Sequence, residues 1–270
     1  MRWGKFMSQL YRRVGLLVLL LLLGGCGILG KGDDITEDWP VQRLYEEAKK
    51  AREGGDYQTA IDYYEKLESR YPFGPYAEQA QLEIAYSYYK YEEPASAIAA
   101  ADRFIKLHPR HSNVDYAYYI KGLTNFHQGR GMVERYLPID GSQRDPAAAQ
   151  QAFQDFAELT QRFPESKYAA DASRRMVYLR NQLARYEIHV ADYYMRRRAF
   201  VAAANRGKYV LERYPQSTAV PDALAVMAKA YTNLGLDALA KDALRVLKLN
   251  YPNHQETKKV EQLTQKGREH

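Results

Sequence analysis

Cysteine occurs once in 270 residues, so no intrachain disulfide can form. The six histidines are scattered, and only His108 and His111 lie close together, with no cysteine or carboxylate at ligand spacing, so no metal centre is expected. A glycine-rich phosphate loop and a serine elbow of the Gly-x-Ser-x-Gly type are both missing. Acidic pairs such as Glu46-Glu47 and Glu92-Glu93 fit solvated helix faces or turns better than acid/base chemistry. These absences point away from an enzyme and from any cofactor. Long apolar runs are equally scarce: beyond the first 25 residues none is long enough to cross a hydrocarbon core of about 30 Å. The formal charge of +6 suggests nucleic acid, but Arg2, Lys5, Arg12 and Arg13 lie in the first 25 residues without any acid, which leaves +2. No nucleic-acid partner is expected.

What is present at the start of the chain is a targeting segment. The four cations form a positive n-region, Val14 to Leu23 form an apolar stretch of ten residues, and Leu23-Gly24-Gly25 leads into Cys26. That order defines a secretory signal, and ten residues rise only about 15 Å in a helix, too little to span a bilayer. Met7 is an alternative start that would shorten the n-region. The Leu-Gly-Gly-Cys sequence resembles the lipobox of bacterial lipoproteins, which implies cleavage before Cys26 and lipidation of its sulfur. Several acyl chains on one residue give stable anchoring, because each buried CH₂ contributes roughly 0.8 kcal/mol. Gly27 stands where lipoproteins retained at the inner membrane commonly carry Asp, so the resemblance implies anchoring in the inner leaflet of the outer membrane, facing the periplasm.

The rest of the chain repeats. An aromatic residue or His followed by Pro occurs five times, at Tyr71-Pro72, His108-Pro109, Phe163-Pro164, Tyr214-Pro215 and Tyr251-Pro252. Twelve residues before each Pro stands an alanine: Ala60, Ala97, Ala152, Ala203 and Ala240. Four of the five also have Ala twenty-four residues before, namely Ala48, Ala85, Ala191 and Ala228, while Leu67, Phe104, Leu159, Val210 and Leu247 stand five before. Small residues at fixed places in paired helices are the tetratricopeptide signature, since two helices cannot bury their apolar face alone and must stack closely on neighbours. The expected fold is all-α, a tetratricopeptide-repeat solenoid of five helix pairs. Successive prolines are 37, 55, 51 and 37 residues apart. The first long spacing predicts a loop insertion in repeat three from Gly129 to Asp145, ended by Asp145-Pro146 as a helix start. The second, with neither Gly nor Pro from Lys167 to Met195, predicts a long first helix in repeat four, its 14 extra residues making close to four turns and keeping the apolar face in phase. The chain then divides into a signal peptide (1–25), a lipidated flexible tether (26–38), the solenoid (39–252, with Asp38-Trp39-Pro40 opening the first helix) and a polar C-terminal tail or frayed capping helix (253–270).

These residues resemble the BamD (ComL) family of the outer-membrane β-barrel assembly machinery. The resemblance runs from about Trp39 to Pro252 and is most specific at Arg70-Tyr71-Pro72-Phe73-Gly74-Pro75-Tyr76, Asp102-Arg103-Phe104-Ile105, Tyr119 to Asn125, Arg144-Asp145-Pro146, and Tyr193-Tyr194 leading to Asn205-Arg206. It implies a scaffold with three kinds of protein partner: the central barrel subunit through its periplasmic domain, accessory lipoproteins, and unfolded outer-membrane β-barrel proteins. Early repeats would engage substrate and late repeats would dock the central subunit. Arg206, Asn205 and Arg197 are the candidate docking residues; Tyr71, Phe73 and Tyr76 are the candidate substrate contacts. As an arginine on a helix surface, Arg206 is expected to contribute little to folding. The turn at Arg198 commonly carries Gly in the family, so an arginine there is expected to be strained if φ is positive. The run Arg196-Arg197-Arg198 reads either as a solvated turn or as a docking patch. Of the 24 tyrosines, about two thirds are assigned to packing, with Tyr64, Tyr88, Tyr194 and Tyr231 at packing positions. A different role for the same architecture is a periplasmic adaptor that recruits peptidoglycan hydrolases or division proteins.

Overall fold

The computed structural model describes residues 34–128, 142 and 145–266. The expected signal peptide, Cys26 and most of the insertion in repeat three lie outside them. Among the described residues the chain is helical, in eleven helices: α1 (Val41–Glu53), α2 (Tyr57–Arg70), α3 (Pro75–Lys90), α4 (Pro94–Leu107), α5 (Val114–Gln128), α6 (Ala147–Arg162), α7 (Ala169–Arg196), α8 (Phe200–Arg213), α9 (Val220–Asn233), α10 (Asp237–Asn250) and α11 (Gln255–Lys266). They form the five expected pairs, α1/α2 to α9/α10, followed by α11. The first helix starts at Val41, one residue beyond Pro40, and α6 starts at Ala147, whose N–H donates to Asp145 Oδ1 at 2.9 Å across Pro146.

Each second helix ends in the same way. The residue before the repeated proline cannot stay in the α region because the ring crowds it. Tyr71, His108, Phe163, Tyr214 and Tyr251 all turn out at φ between −126° and −135°. Their N–H groups still donate to the carbonyls of Leu67, Phe104, Leu159, Val210 and Leu247, so the last bond of each helix is made before the chain departs. The turn inside a repeat is also built one way. Gly55 (φ 83°), Glu92 (φ 63°), Arg198 (φ 57°) and Gly235 (φ 71°) each stand five residues before the second-helix alanine, in the left-handed region. The next N–H closes back onto the helix: Asp56 to Ala51, Glu93 to Tyr88, Ala199 to Tyr194, and Leu236 to Tyr231. Glycine meets this geometry without penalty and a side chain does not, so Arg198 carries the strain expected of it.

The nine alanines of the repeat signature are all fully buried, at 0% exposure. A methyl group is what fits where helix backbones cross closely, and Leu67, Phe104, Phe156, Leu159, Val210 and Leu247 fill the space around the crossings. In α5 the close approach is made by Gly122, where an added Cβ would stand 2.5 Å from Phe156 Cε1. The 28-residue α7 serves two repeats: Ala172 and Leu179 near its start pack into the core of α5 and α6, and Ala184, Ile188 and Ala191 pack onto α8 and α9. Its additional turns therefore cover repeat three. The fraying expected after Pro252 is not found in the first turns of α11, because Val260 is fully buried against α9 and α10 and Lys248 holds Glu261 at 2.7 Å.

First helices of neighbouring pairs touch one another (α1 with α3, α3 with α5, α7 with α9), and second helices make no comparable contact among the described residues. The stack therefore curves with the first helices on its inner side.

Gly122→Ala tests the crossing. Phe156 is buried and has little room to retreat, so overpacking should cost about 1–3 kcal/mol and lower Tm by roughly 3–10 °C. Calorimetry showing an unchanged Tm would place Gly122 outside the contact.

Candidate interaction surfaces

The N-terminal segment is fastened to α2. Asp34 accepts from the Thr36 N–H (3.1 Å), Thr36 Oγ1 (2.7 Å), Lys66 Nζ (3.2 Å) and Arg70 Nη2 (2.5 Å). Arg70 also donates to the Thr36 carbonyl, and Thr36 is buried beneath the clamp. The Thr36 hydroxyl, helped by its N–H and by Lys66, holds the Asp34 carboxyl down to a pKa of about 2. The three expected substrate contacts follow this clamp and separate. The Tyr71 hydroxyl donates to the Trp39 carbonyl at 3.3 Å, the Tyr76 ring lies 5.3 Å from that of Tyr45, and Phe73 is 90% exposed.

A larger aromatic surface runs along the inner side. Tyr86 and Tyr89 on α3, Tyr116 and Tyr119 on α5, and Tyr168 at the start of α7 are half-buried. Their rings pass contact from repeat to repeat: Tyr86 to Tyr116 at 6.5 Å, Tyr116 to Tyr168 at 5.2 Å and Tyr119 to Tyr168 at 4.6 Å. Charged groups are interleaved with them. The Arg52 guanidinium lies 5.7 Å from the Tyr86 ring centre and pairs with Glu83 at 3.1 Å. The Tyr119 hydroxyl donates to Asp171 at 2.7 Å, and burial followed by that carboxylate pushes its pKa up to about 12. Half-buried tyrosines present both a ring face and a polar tip, which suits contact with extended polypeptide. Sequence reading passed over this belt, although the three-residue spacings Tyr86/Tyr89 and Tyr116/Tyr119 put each pair on one helix face.

Repeat four carries charge. From Lys167 to Arg213 there are 11 Lys and Arg against 4 Asp and Glu, a net of +7 on a chain that otherwise balances acidic beyond residue 25. Arg185, Arg196, Arg197 and Arg198 are exposed, and the Arg197 guanidinium lies 5.5 Å from the Tyr193 ring centre. Arg196 borders an open groove of about 440 Å³ on α7, together with Tyr186, His189, Val190, Asp192, Tyr193 and Tyr194. His189 on the same face is 3.0 Å from Ser142 of the insertion. Asn205 is exposed on α8. Arg206 beside it is not a free surface arginine. Its Nη1 donates to Glu187 Oε2 at 2.8 Å, and the Glu187 side chain is only 7% exposed. The expectation that Arg206 matters little to folding therefore fails: it neutralises a carboxylate taken out of water. The partner lies 19 residues away on α7, beyond any local pattern.

Repeat five carries an apolar outer face. Leu236, Leu239, Val246 and Leu249 are 44%, 47%, 37% and 73% exposed. At the same four places repeat one has Asp56, Thr59, Lys66 and Ser69, and repeat two has Glu93, Ser96, Arg103 and Lys106. Packing within a repeat therefore does not require apolar residues there.

Aromatic, basic and apolar faces displayed on successive repeats define the class of protein: a tetratricopeptide scaffold whose features are surfaces. The model of the YfiO family, described as an outer membrane lipoprotein, matches residues 37–261. The outer membrane protein assembly factor BamD of Neisseria meningitidis serogroup A is 46% identical over 235 residues, covering 86% of this chain and 88% of that protein. BamD of Vibrio cholerae is 40% identical over 240 residues, covering 89% of this chain and 98% of that protein. Among solved structures, TTC0263, a thermophilic TPR protein of Thermus thermophilus, aligns over 83% of this chain and 98% of that one, with a TM-score of 0.35 and 14% identity. The chain belongs to the YfiO family of outer membrane lipoproteins.

Removing one member of a buried pair strands the other, at about 3–5 kcal/mol when both are dry. Arg206 is 41% exposed, so solvent screening reduces this, and Arg206→Ala should cost about 1–3 kcal/mol. Arg206→Glu should melt lower still, and Glu187→Gln should recover part of either loss. Wild-type melting of Arg206→Glu would refute the pair.

Acid should loosen the two ends of the solenoid first. Lys229 and then Lys259 hold the Glu256 carboxyl down to a pKa of about 2, as the clamp does for Asp34. Folded values below the unfolded ones mean that both contributions are complete above pH about 4 and are lost as pH falls toward about 2. Asp155, raised by burial between α5 and α6, has the opposite sign: its contribution is kept in acid and lost as pH rises through its folded pKa. Amide exchange at pH 3 should therefore show the segments near Asp34 and Glu256 opening before α5 and α6; uniform opening would contradict this.

Proposed function

We propose that this protein is an outer-membrane assembly factor of the BamD kind. It is a lipid-anchored scaffold, held in the inner leaflet through Cys26 and facing the periplasm, and it acts by binding rather than as an enzyme. It holds the central subunit of the β-barrel assembly machinery, accessory lipoproteins and unfolded barrel proteins together so that the barrels fold and insert. The observation that carries this reading is identity of 40% or more to named assembly factors along nearly the whole length of both chains. The same observation favours it over an adaptor for peptidoglycan hydrolases. No described helix is long and apolar enough to cross a membrane, which suits attachment by lipid.

The surfaces divide the work. The inner aromatic belt, with Tyr71 and Tyr76 at its repeat-one end, engages unfolded substrate through ring faces and hydroxyls, contacts that tolerate many sequences. The +7 of repeat four, presented by Arg197 with Asn205 and Arg206 nearby, meets an acidic face of the central subunit's periplasmic domain. The apolar face of α10 is covered by an accessory lipoprotein, since four exposed aliphatic side chains in register exceed what a solvated helix needs.

Affinity purification of the tagged protein followed by mass spectrometry should recover a large barrel protein and its accessory lipoproteins. Arg197→Glu should reduce that recovery severalfold, more at low salt than at high, with Tm unchanged because Arg197 is exposed. Recovery of peptidoglycan hydrolases without a barrel protein would overturn the reading.

A further inference from the structure

The turn that carries Phe73 is built to display it. Residues 71–76 are all exposed, so core packing does not hold Phe73 in place. Pro72 and Pro75 bracket it and each fixes its own φ, while Gly74 at φ 98° reverses the chain in a conformation that disfavours a side chain. Phe73 is thus a preorganised apolar knob, the most exposed of the large hydrophobic side chains described. The repeats supply their own control: Arg110, Glu165, Gln216 and Asn253 occupy the corresponding place after the other four prolines. Only the first inter-repeat turn is apolar. Ile35, 74% exposed, adds a second knob nearby, because its neighbours Asp34 and Thr36 are both bonded to Arg70, three residues before Phe73.

Position in the chain identifies the occupant. The N-terminal segment and the inter-repeat turns lie on one edge of the solenoid, where second helices end and first helices begin. The clamp at Asp34 fixes the first described residue at that edge, beside Phe73. From Cys26 to Asp34 is eight residues, which cannot reach beyond about 28 Å fully extended. We propose that Phe73 and Ile35 insert into the interface of the membrane that holds Cys26, and that this contact sets the solenoid's orientation on it. The proposal rests on the reading of Cys26 as the lipidated residue. Two side chains bind a bilayer weakly in free solution. The lipid makes their insertion intramolecular, and a short tether keeps their local concentration high. An aromatic ring at a headgroup boundary keeps its apolar body out of water, as aromatic belts do. Phe73 is thereby reassigned from polypeptide to lipid, while Tyr71 and Tyr76 keep their place beside substrate.

The test uses the lipidated full chain in phosphatidylethanolamine/phosphatidylglycerol vesicles, with a spin label at Phe73→Cys and, in a separate sample, at Leu249→Cys, 73% exposed in repeat five. Lipidation blocks the Cys26 thiol, so each label is unique. The ratio of oxygen to nickel-chelate accessibility should be severalfold higher at 73 than at 249. Vesicle-bound protein with equal, water-like ratios at both places overturns membrane insertion and leaves lipidation standing; protein that never sediments with vesicles overturns both. Phe73→Ser together with Ile35→Ser should leave Tm unchanged, and a fall of several degrees would make these side chains part of the fold instead. Protection of the label at 73 by an unfolded barrel protein, without protection by lipid, would return Phe73 to substrate.

Discussion

In each of the five described pairs the second helix packs through a fully buried alanine, at a point where there is room for a methyl group and little else. That spacing decides more than the local contact. Because the alanines recur at the same place in each repeat, the crossing geometry recurs too, and identical small rotations accumulate into a curved stack. Curvature brings first helices together on one side and separates second helices on the other. The tyrosines of α3 and α5 can pass ring contacts between repeats only because their helices lie on the compressed side.

The stacking also explains how such different surfaces can be displayed along one chain. Each repeat is stabilised mainly by its immediate neighbours, so its outward residues are left free of structural duty. Repeat four can hold a net charge of +7, and repeat five can expose four aliphatic side chains, without disturbing the register on either side. Even the doubled length of α7 leaves the repeat pattern intact, since the additional turns cover repeat three and the closing turns resume the usual pairing.

The architecture was legible because it is written in local, periodic terms. Alanine twelve residues before proline, an aromatic at the C-cap and a Gly-free, Pro-free stretch for α7 are all short-range statements, and each produces one conformation. The strain at Arg198 was legible through the family resemblance, which implies Gly at that turn, and the structure sets Arg198 in register with Gly55 and Gly235 in the left-handed region. The candidate interaction surfaces were less so. Glu187 and Arg206 meet only after α7 folds back on α8, and an arginine with an unseen partner reads as solvated. The aromatic belt depends on curvature, a property of the stack that no single repeat encodes. Tyr71, Phe73 and Tyr76 share one inter-repeat turn, where the repeat pattern does not assign burial. The fold gives them different neighbours: a carbonyl, solvent and a ring.

The clamp between Asp34 and Arg70 has a mechanical consequence. In the proposed arrangement a chain held at a membrane at one end and by large partners at the other would be pulled, and tension would enter the fold at the junction marked by Asp34. If that junction were the start of α1, force would peel the helix away one turn at a time, breaking few bonds at each step. Asp34 instead passes the force directly to the end of α2, 36 residues further along, so that α1 and its turn sit in a closed loop outside the line of tension. The arrangement resembles the strain relief of a cable, in which the sheath takes the tug and the conductors inside stay slack.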